Sequence, residues 1–415
     1  MSMKFKRGSF LAFFSILMFG SLFAPGSAFA ATVKKAPVKV APKPIPIEVY
    51  GWIPYWRTAT GTADALVHLS SFTQISPFGF TLKKDGTLFD AAKLTEEPWV
   101  SFIATAKQQK VKVIPTVMSG DGDTLHAILS NSKTRIALED EIAAMVKDRG
   151  YDGVDIDFEG KKAETKVYFS LFLKGLYQRM GKKLVYCSIE ARTPLASRYD
   201  TIPKDIQYAN DFVQINKYCD RVNIMAYDQG TIDLRLNEAQ KGPYIPVADP
   251  LWVEKAVKEA MKTISKNKIM IGVPTYGYEY QFKPLSESGY RYDLQWAFNP
   301  RYATELAASL GITPMRNSAG ELSFIYTPTS TAPAIPTSVA VDPGLSNNSA
   351  LGTTSFTAGA TSTPVVAAPL QNIVWWSDAK AIADKVALAR KLGVKGVAVF
   401  KIDGGEDPNM WSVLK

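Results

Sequence analysis

Only two of the 415 residues are cysteine and only two are histidine. A zinc site built on a His/Cys cluster is therefore excluded, and so is a fold stapled by many disulfides. A Ser-His-Asp triad would have to use His68 or His126, and both lie in helix-like segments. Excess charge is missing where it would matter. The formal net charge is +9, but seven positive charges (Lys4, Lys6, Arg7, Lys34, Lys35, Lys39 and Lys43) lie in residues 1–46, which hold no Asp or Glu. The remaining chain carries +2, so no nucleic-acid partner is expected. No glycine-rich nucleotide loop follows the first strand candidate, where Gly51-Trp52-Ile53-Pro54 stands instead. No heptad run is present, and a monomer is expected. At 46% hydrophobic and 21% charged residues the composition is that of a globular protein, neither disordered nor a polytopic membrane protein.

What is present begins with an export signal. Lys4–Arg7 supply a positive start, Phe10–Ala24 an apolar run, and Ala28-Phe29-Ala30 a small-residue cleavage pattern. Residues 1–30 read as a signal peptide cleaved after Ala30. The alternative is a retained anchor, since the run is near the lower length limit for a span. Residues 31–46 (ATVKKAPVKVAPKPIP) form a Lys/Pro-rich tether, extended and semi-rigid, whose lysines suit an anionic cell wall. No membrane span is expected after cleavage, and the mature protein is expected to act outside the cytoplasm. Pairing of Cys187 and Cys219 is permitted there. Each abuts a strand candidate at a different height, however, so they read as buried thiols.

From residue 47 short apolar runs alternate with helix-like stretches. The strand candidates are Glu48–Trp52, Thr73–Phe80, Val111–Val117, Gly153–Phe158, Lys183–Ile189, Arg221–Ala226, Lys268–Pro274 and Gly396–Ile402. The helix candidates include Ala91–Gln109, Thr134–Lys147, Ala163–Met180, Pro250–Ile264 and Asp378–Lys391. Eight strands with helical crossovers predict an α/β fold, a closed (β/α)8 TIM barrel over residues 47–415. The interval between strands seven and eight is long. A small α+β insertion over about residues 281–371 is expected there, with a helix at Arg301–Leu310 and a hairpin at Pro314–Tyr326. Residues 327–370, rich in Ser, Thr, Ala, Pro and Gly, form a low-complexity loop.

The decisive segment is Asp152-Gly153-Val154-Asp155-Ile156-Asp157-Phe158-Glu159. At a period of two, Val154, Ile156 and Phe158 face the helices, while Asp155, Asp157 and Glu159 face into the barrel. Asp155 and Glu159 are ~13 Å apart along a strand. Burying such a row costs several kcal/mol per ion, and no matching set of Arg or Lys is visible on the other strands. Close carboxylates cannot all ionise, so at least one holds its proton and can serve as a general acid. Metal binding is the competing chemistry, but ligands spaced along one strand converge poorly on one ion. No metal and no cofactor is therefore expected.

This segment resembles the D-G-x-D-x-D-x-E signature of glycoside hydrolase family 18, the chitinase-like family. Further matches are Met225-Ala226-Tyr227-Asp228, resembling the family's M-x-Y-D, and Gly272-Val273-Pro274-Thr275-Tyr276-Gly277. Val374-Trp375-Trp376-Ser377-Asp378-Ala379, leading into Gly396–Phe400, is another. Within the family the pattern looks nearest to the bacterial spore-cortex and cell-wall glucosaminidase branch. The resemblance implies a retaining hydrolase of GlcNAc-containing polysaccharide that works by substrate-assisted catalysis. It implies Glu159 as acid, Asp157 as the partner of the substrate's acetamido nitrogen, Asp155 as the group that tunes Asp157, and Tyr227 as donor to the acetamido oxygen. Asp228 and Met225 would line the sugar subsite. Trp52, Phe78, Tyr276 and Phe400 are candidate substrate-binding aromatics, because apolar ring faces stack on sugar rings. The pattern departs from the family at Phe400, where Trp is common, and at Met118-Ser119-Gly120-Asp121-Gly122, where the S-x-G-G pattern is incomplete. Both departures bear on the substrate rather than on the acid. The alternatives are a catalytically weak or inactive lectin on the same barrel and a barrel that uses its carboxylates for a metal.

Overall fold

The structure, a computed structural model, describes residues 46–285, 289–328 and 370–414. The signal peptide and tether expected over residues 1–46 lie outside the described residues apart from Pro46, as does nearly all of the low-complexity stretch.

The first half of the chain alternates strand and helix. β1 (Glu48–Pro54) and α1 (Thr58–Val67) lead to β2 (Gln74–Leu82), and β3 (Leu88–Asp90) folds back on β2. After α2 (Trp99–Gln108), β4 (Lys112–Val113) and β5 (Thr116–Ser119) form one broken strand, then come α3 (Gly122–Ser130) and α4 (Ser132–Asp148). β6 (Gly153–Phe158), α5 (Lys166–Met180), β7 (Leu184–Glu190), α6 (Phe212–Tyr218) and β8 (Arg221–Met225) follow. α7 (Leu234–Glu238), α8 (Pro250–Met261) and β9 (Ile269–Pro274) complete the seventh unit. The barrel ends on α10 (Ala379–Leu392), β15 (Gly396–Phe400) and α11 (Met410–Val413). β1 pairs in parallel with both β2 and β15, and β15, β9, β8, β7, β6, β5 and β2 are neighbours in that order. Eight parallel strands therefore close into a (β/α)8 barrel, as the alternation predicts.

Helix starts are written in the sequence. Asp121, Asn131, Asp211, Asp249 and Asp378 each cap a helix by accepting from backbone N–H groups of its first turn. Two expectations change. The helix expected over Ala91–Gln109 is limited to Trp99–Gln108, because Pro98 has no N–H to donate and restricts the residue before it. The third strand breaks at Ile114-Pro115 for the same reason, Pro115 being unable to donate to the ladder.

The insertion is an antiparallel sheet in the order β11 (Tyr290–Phe298), β10 (Gly277–Pro284), β14 (Gln371–Trp376), β13 (Leu322–Tyr326), β12 (Met315–Arg316), with α9 (Pro300–Ser309) on one face. It runs from Gly277 to Trp376, wider than the expected 281–371. Along β14 the side chains alternate. Val374 and Trp376 pack on α9 with Tyr302 and Leu306. Ile373 and Trp375 join the aromatic cluster that also fills the barrel interior. A buried carboxylate pins the insertion to the barrel. Glu321 accepts from the backbone N–H of Val247 (2.9 Å) and Ala248 (3.0 Å) and from Trp375 Nε1 (2.7 Å). The ammonium of Lys385 on α10 stands 3.6 Å from it, with both side chains fully covered.

The cysteines correct a further expectation. Cys187 and Cys219 are joined in a disulfide, with Cα atoms 6.0 Å apart. Cys187 points outward from β7 with Val185 and Ile189. Cys219 ends α6 just before β8, so the two meet in the layer outside the sheet. The height of each along the strands, the basis for reading them as thiols, does not govern that contact.

Candidate active site

β6 divides its side chains as a period of two requires. Val154, Ile156 and Phe158 belong to the outer core, with the Phe158 ring 5.4 Å from that of Phe172 on α5. Asp155 and Asp157 are buried inside the barrel, and Glu159 follows at the C-terminal mouth. The Glu159 N–H donates to the Ser119 carbonyl at 2.8 Å. The next residue, Gly160, has φ +61°, a conformation that favours glycine, and there the chain turns away.

The three carboxylates have different surroundings. Asp155 accepts from Trp52 Nε1 (3.0 Å), Thr116 Oγ1 (2.9 Å), Ser188 Oγ (2.9 Å) and Asn223 Nδ2 (3.4 Å). Burial pushes its carboxyl above the usual range, while these hydrogen bonds pull it back. Asp157 is equally buried, yet its Oδ1 has no hydrogen-bond partner among the described residues. Burial first, then the charges of Glu159, Asp155 and Glu190, hold its carboxyl well above the usual range. Glu159 is pushed up to about 7, by burial first and then by Glu190 and Asp228, against the opposing pull of Lys161. Asp157 and Glu159 thus hold their protons more tightly than exposed carboxyls do.

Tyr227 and Asp228 follow β8. The Tyr227 ring stacks on Phe400 with centroids 5.9 Å apart and lies 6.1 Å from Tyr276. Burial and the nearby Asp157 keep its hydroxyl protonated, and so a donor. A Cβ on Gly272 would stand 2.9 Å from the Tyr227 ring, so the glycine of the Gly272–Gly277 segment leaves room for that tyrosine. Asp228 takes φ +57°, which Asp tolerates better than most residues. Its Oδ1 accepts from both Tyr276 and Tyr278 hydroxyls at 2.6 Å. Met225, half-buried, ends β8 beside Glu190 in the β7–β8 register.

The four aromatic candidates converge at the same mouth. Phe400 has Trp52 (5.9 Å), Phe78 (6.0 Å), Tyr227 and Tyr276 (6.1 Å) as ring neighbours. Trp52 and Tyr276 are 2% and 0% exposed, so they form the underside of the site rather than open faces. Their polar atoms are spent on Asp155 and Asp228. Phe400 keeps 9% exposure.

Several site residues escape a motif search. Thr116, Ser188 and Asn223 come from three different strands and reach Asp155 together. Each is a polar residue at an inward position, but β7 also carries Glu190 and β8 Arg221, so no signal within one strand marks them out. Glu190 and Lys161 flank Glu159, and neither belongs to a motif. Among the described residues, no group of three or more His, Cys, Asp and Glu is arranged to hold a metal ion.

A (β/α)8 barrel with a carboxylate row ending at the mouth of its fourth barrel strand defines a glycoside hydrolase. The model of glycosyl hydrolases family 18 matches residues 50–405, and the chain belongs to that family. It is 23% identical over 344 residues to the uncharacterized glycosylase YvbX of Bacillus subtilis, covering 81% of this chain and 82% of that one. It is 23% identical over 349 residues to the cortical fragment-lytic enzyme of Bacillus subtilis, covering 82% and 67%. The structure resembles the chitinase from Chromobacterium violaceum with a TM-score of 0.65 at 18% identity, covering 89% of this chain and 98% of that one.

Proposed function

We propose that the protein is an exported retaining glycosidase. It hydrolyses β-1,4 linkages of N-acetylglucosamine-containing glycans, either peptidoglycan or chitin and its oligosaccharides, by substrate-assisted catalysis. One observation carries the reading: Asp157, with an unpartnered oxygen, lies beside a Glu159 that titrates near 7. Family 18 is an exception to the rule of two enzyme carboxylates flanking the bond. The nucleophile comes from the substrate itself.

In the first step Glu159 gives its proton to the glycosidic oxygen and the bond to the anomeric carbon breaks. The acetamido carbonyl oxygen of the same sugar attacks that carbon and closes an oxazolinium ring. As that charge grows Asp157 passes its proton to Asp155, and the Asp157 carboxylate accepts from the acetamido N–H and offsets the positive charge. Asp155, fixed by its four donors, tunes Asp157 through the charge between them and by sharing its proton. The Tyr227 hydroxyl donates to the acetamido oxygen. In the second step the Glu159 carboxylate takes a proton from water, and the hydroxide opens the ring from the opposite face, with net retention. Asp228 and Met225 line the subsite, with Phe400 beneath the sugar and Phe78 packed against it. A substrate without an N-acetyl group supplies no nucleophile.

The cortical fragment-lytic and chitinase relatives support the choice of glycan. The export signal and the basic tether support action at the cell wall. Purified protein and Glu159→Gln are each given peptidoglycan and chito-oligosaccharides, and products are read by mass spectrometry. Cleavage by the unaltered protein alone is expected, and the glycan that is cut identifies the branch. Binding without cleavage by either protein makes the chain a lectin and sinks the proposal.

A further inference from the structure

β7 carries an alternation that this mechanism leaves unused. Val185, Cys187 and Ile189 belong to the outer core. Ser188 reaches Asp155 inside the barrel, so Glu190, two residues on, shares its inward face. The β6–β7 register sets Ile156 against Cys187, and continued to the strand ends it sets Glu159 against Glu190. The backbone N–H of Gly160, next to the acid, donates to Glu190 Oε1 at 3.2 Å. Asn210 Nδ2 donates to Glu190 Oε2 at 2.6 Å, and Lys161 Nζ lies 3.9 Å from that oxygen. Lys161 is itself fixed. Its side chain is fully covered, it donates to the Phe158 carbonyl, and it lies over the Phe169 ring at 4.7 Å. Asn210 is held in turn by Arg192, whose guanidinium donates to its carbonyl at 3.1 Å and is clamped between the Tyr208 and Phe212 rings.

We propose that Glu190 is a positioning residue whose negative charge holds the proton on Glu159, with Lys161 as its opposing charge, so that this pair sets the pH at which the acid works. The inference rests on the reading of Glu159 as the acid. Four charged or titratable neighbours face Glu159: Asp157 from β6, Lys161 from the turn after it, Glu190 from β7, and Asp228 after β8. Tyr227 faces it as a neutral hydroxyl. Asp155, Asp157 and Asp228 have substrate-directed or supporting work in the mechanism. Glu190 and Lys161 have none, yet both are anchored at the mouth. A like charge beside an acid disfavours loss of its proton, and an opposite charge favours it. Glu190 faces Lys161 and Arg192 in addition to the acid.

The test is the pH profile of kcat/KM for the full chain on a β-1,4-linked GlcNAc hexasaccharide, or on purified peptidoglycan if that is the glycan cut. Glu190→Gln is expected to move the alkaline limb down by roughly one unit, the effect of one nearby charge. Glu190→Asp, which keeps the charge, leaves the limb within a few tenths of a unit of the unaltered protein. Lys161→Met moves it up. A uniform reduction in the activity of Glu190→Gln across the pH range, with the limb unmoved, makes the residue structural and overturns the proposal. If Glu190→Gln does not fold, Lys161→Met decides alone, and a limb that stays or falls overturns it. Retention of activity by Glu159→Gln removes the glycosidase reading and this inference with it. An inactive Glu159→Gln beside an unshifted Glu190→Gln removes only the role of Glu190.

Discussion

Asp155 and Asp157, two residues apart on β6, stand in opposite surroundings: Asp155 accepts hydrogen bonds from four side chains, whereas Oδ1 of Asp157 has no partner among the described residues. On the proposed mechanism the first tunes the second, and the free oxygen of the second receives the acetamido N–H. Asp157→Asn is therefore expected to lower kcat ~10²-fold, since an amide cannot offset the charge of the oxazolinium ring. Its unfolding free energy is expected to stay within about 1 kcal/mol of the unaltered protein, because Asp157 Oδ1 has no hydrogen bond to lose and burial already disfavours the charge there. Asp155→Ala strands its donors and costs on the order of 3 kcal/mol or more. Steady-state kinetics and urea unfolding on the same samples separate the two effects.

The carboxyl of Glu159 couples activity and stability to pH. If Glu159 is the acid, as proposed, activity requires its proton and kcat/KM is expected to fall as pH rises through about 7. Stability follows the same direction. The folded protein holds this proton more tightly than the unfolded chain, whose value is near 4.5. Between those values the folded state binds more protons, and stability drops as pH rises. The cost is complete above about 7 and absent below about 4.5. Glu159→Gln removes it, so its Tm exceeds that of the unaltered protein at pH 8 and matches it at pH 4. The gain at pH 8 is at most about 3 kcal/mol. Thermal unfolding at the two pH values checks this, and an equal Tm at pH 8 contradicts it.

Glu321 and Lys385 form a fully covered ion pair between the insertion and α10. Burial pushes the Glu321 carboxyl up and the Lys385 ammonium down, so each depends on the other to stay charged. Glu321→Gln leaves a buried ammonium without its counter-charge and is expected to cost about 3–5 kcal/mol. The double substitution Glu321→Gln with Lys385→Met recovers most of that loss in urea unfolding. A double variant as unstable as the single one assigns the effect to the bonds with Val247, Ala248 and Trp375 instead.

The disulfide between Cys187 and Cys219 closes a segment with a sequence separation of 32 residues. Its removal in the Cys187→Ala and Cys219→Ala double variant is expected to cost about 3–4 kcal/mol on a chain-entropy estimate. Mass spectrometry of the alkylated, unreduced protein reports the bond directly. Thermal unfolding with and without reductant reports its contribution, and an unchanged Tm contradicts the expectation.

The barrel was legible before any coordinates because its signal is local and repeated. Seven of the eight barrel strands lie within two residues of where apolar runs placed them, and Pro115 explains the broken one. The active-site row was legible because Asp155, Asp157 and Glu159 sit two apart on a single strand, where period and chemistry can be read together. The insertion was legible as an interval, but not its edges. β10 and β14 exchange hydrogen bonds across a span of chain that no local pattern connects.

The sequence by itself determined the class of fold, the family and the row of carboxylates on one strand, since each depends on residues close together in the chain. Tertiary structure alone decided which polar groups surround those carboxylates. Thr116, Ser188, Asn223 and Trp52 meet Asp155 from four other strands, and Glu190 meets Glu159 across a strand boundary. It also joined Cys187 to Cys219 outside the sheet and set Lys385 beside Glu321. The physical reason is common to all of these. Burial and charge act through space over a few ångströms, and barrel closure brings together residues tens to hundreds of positions apart.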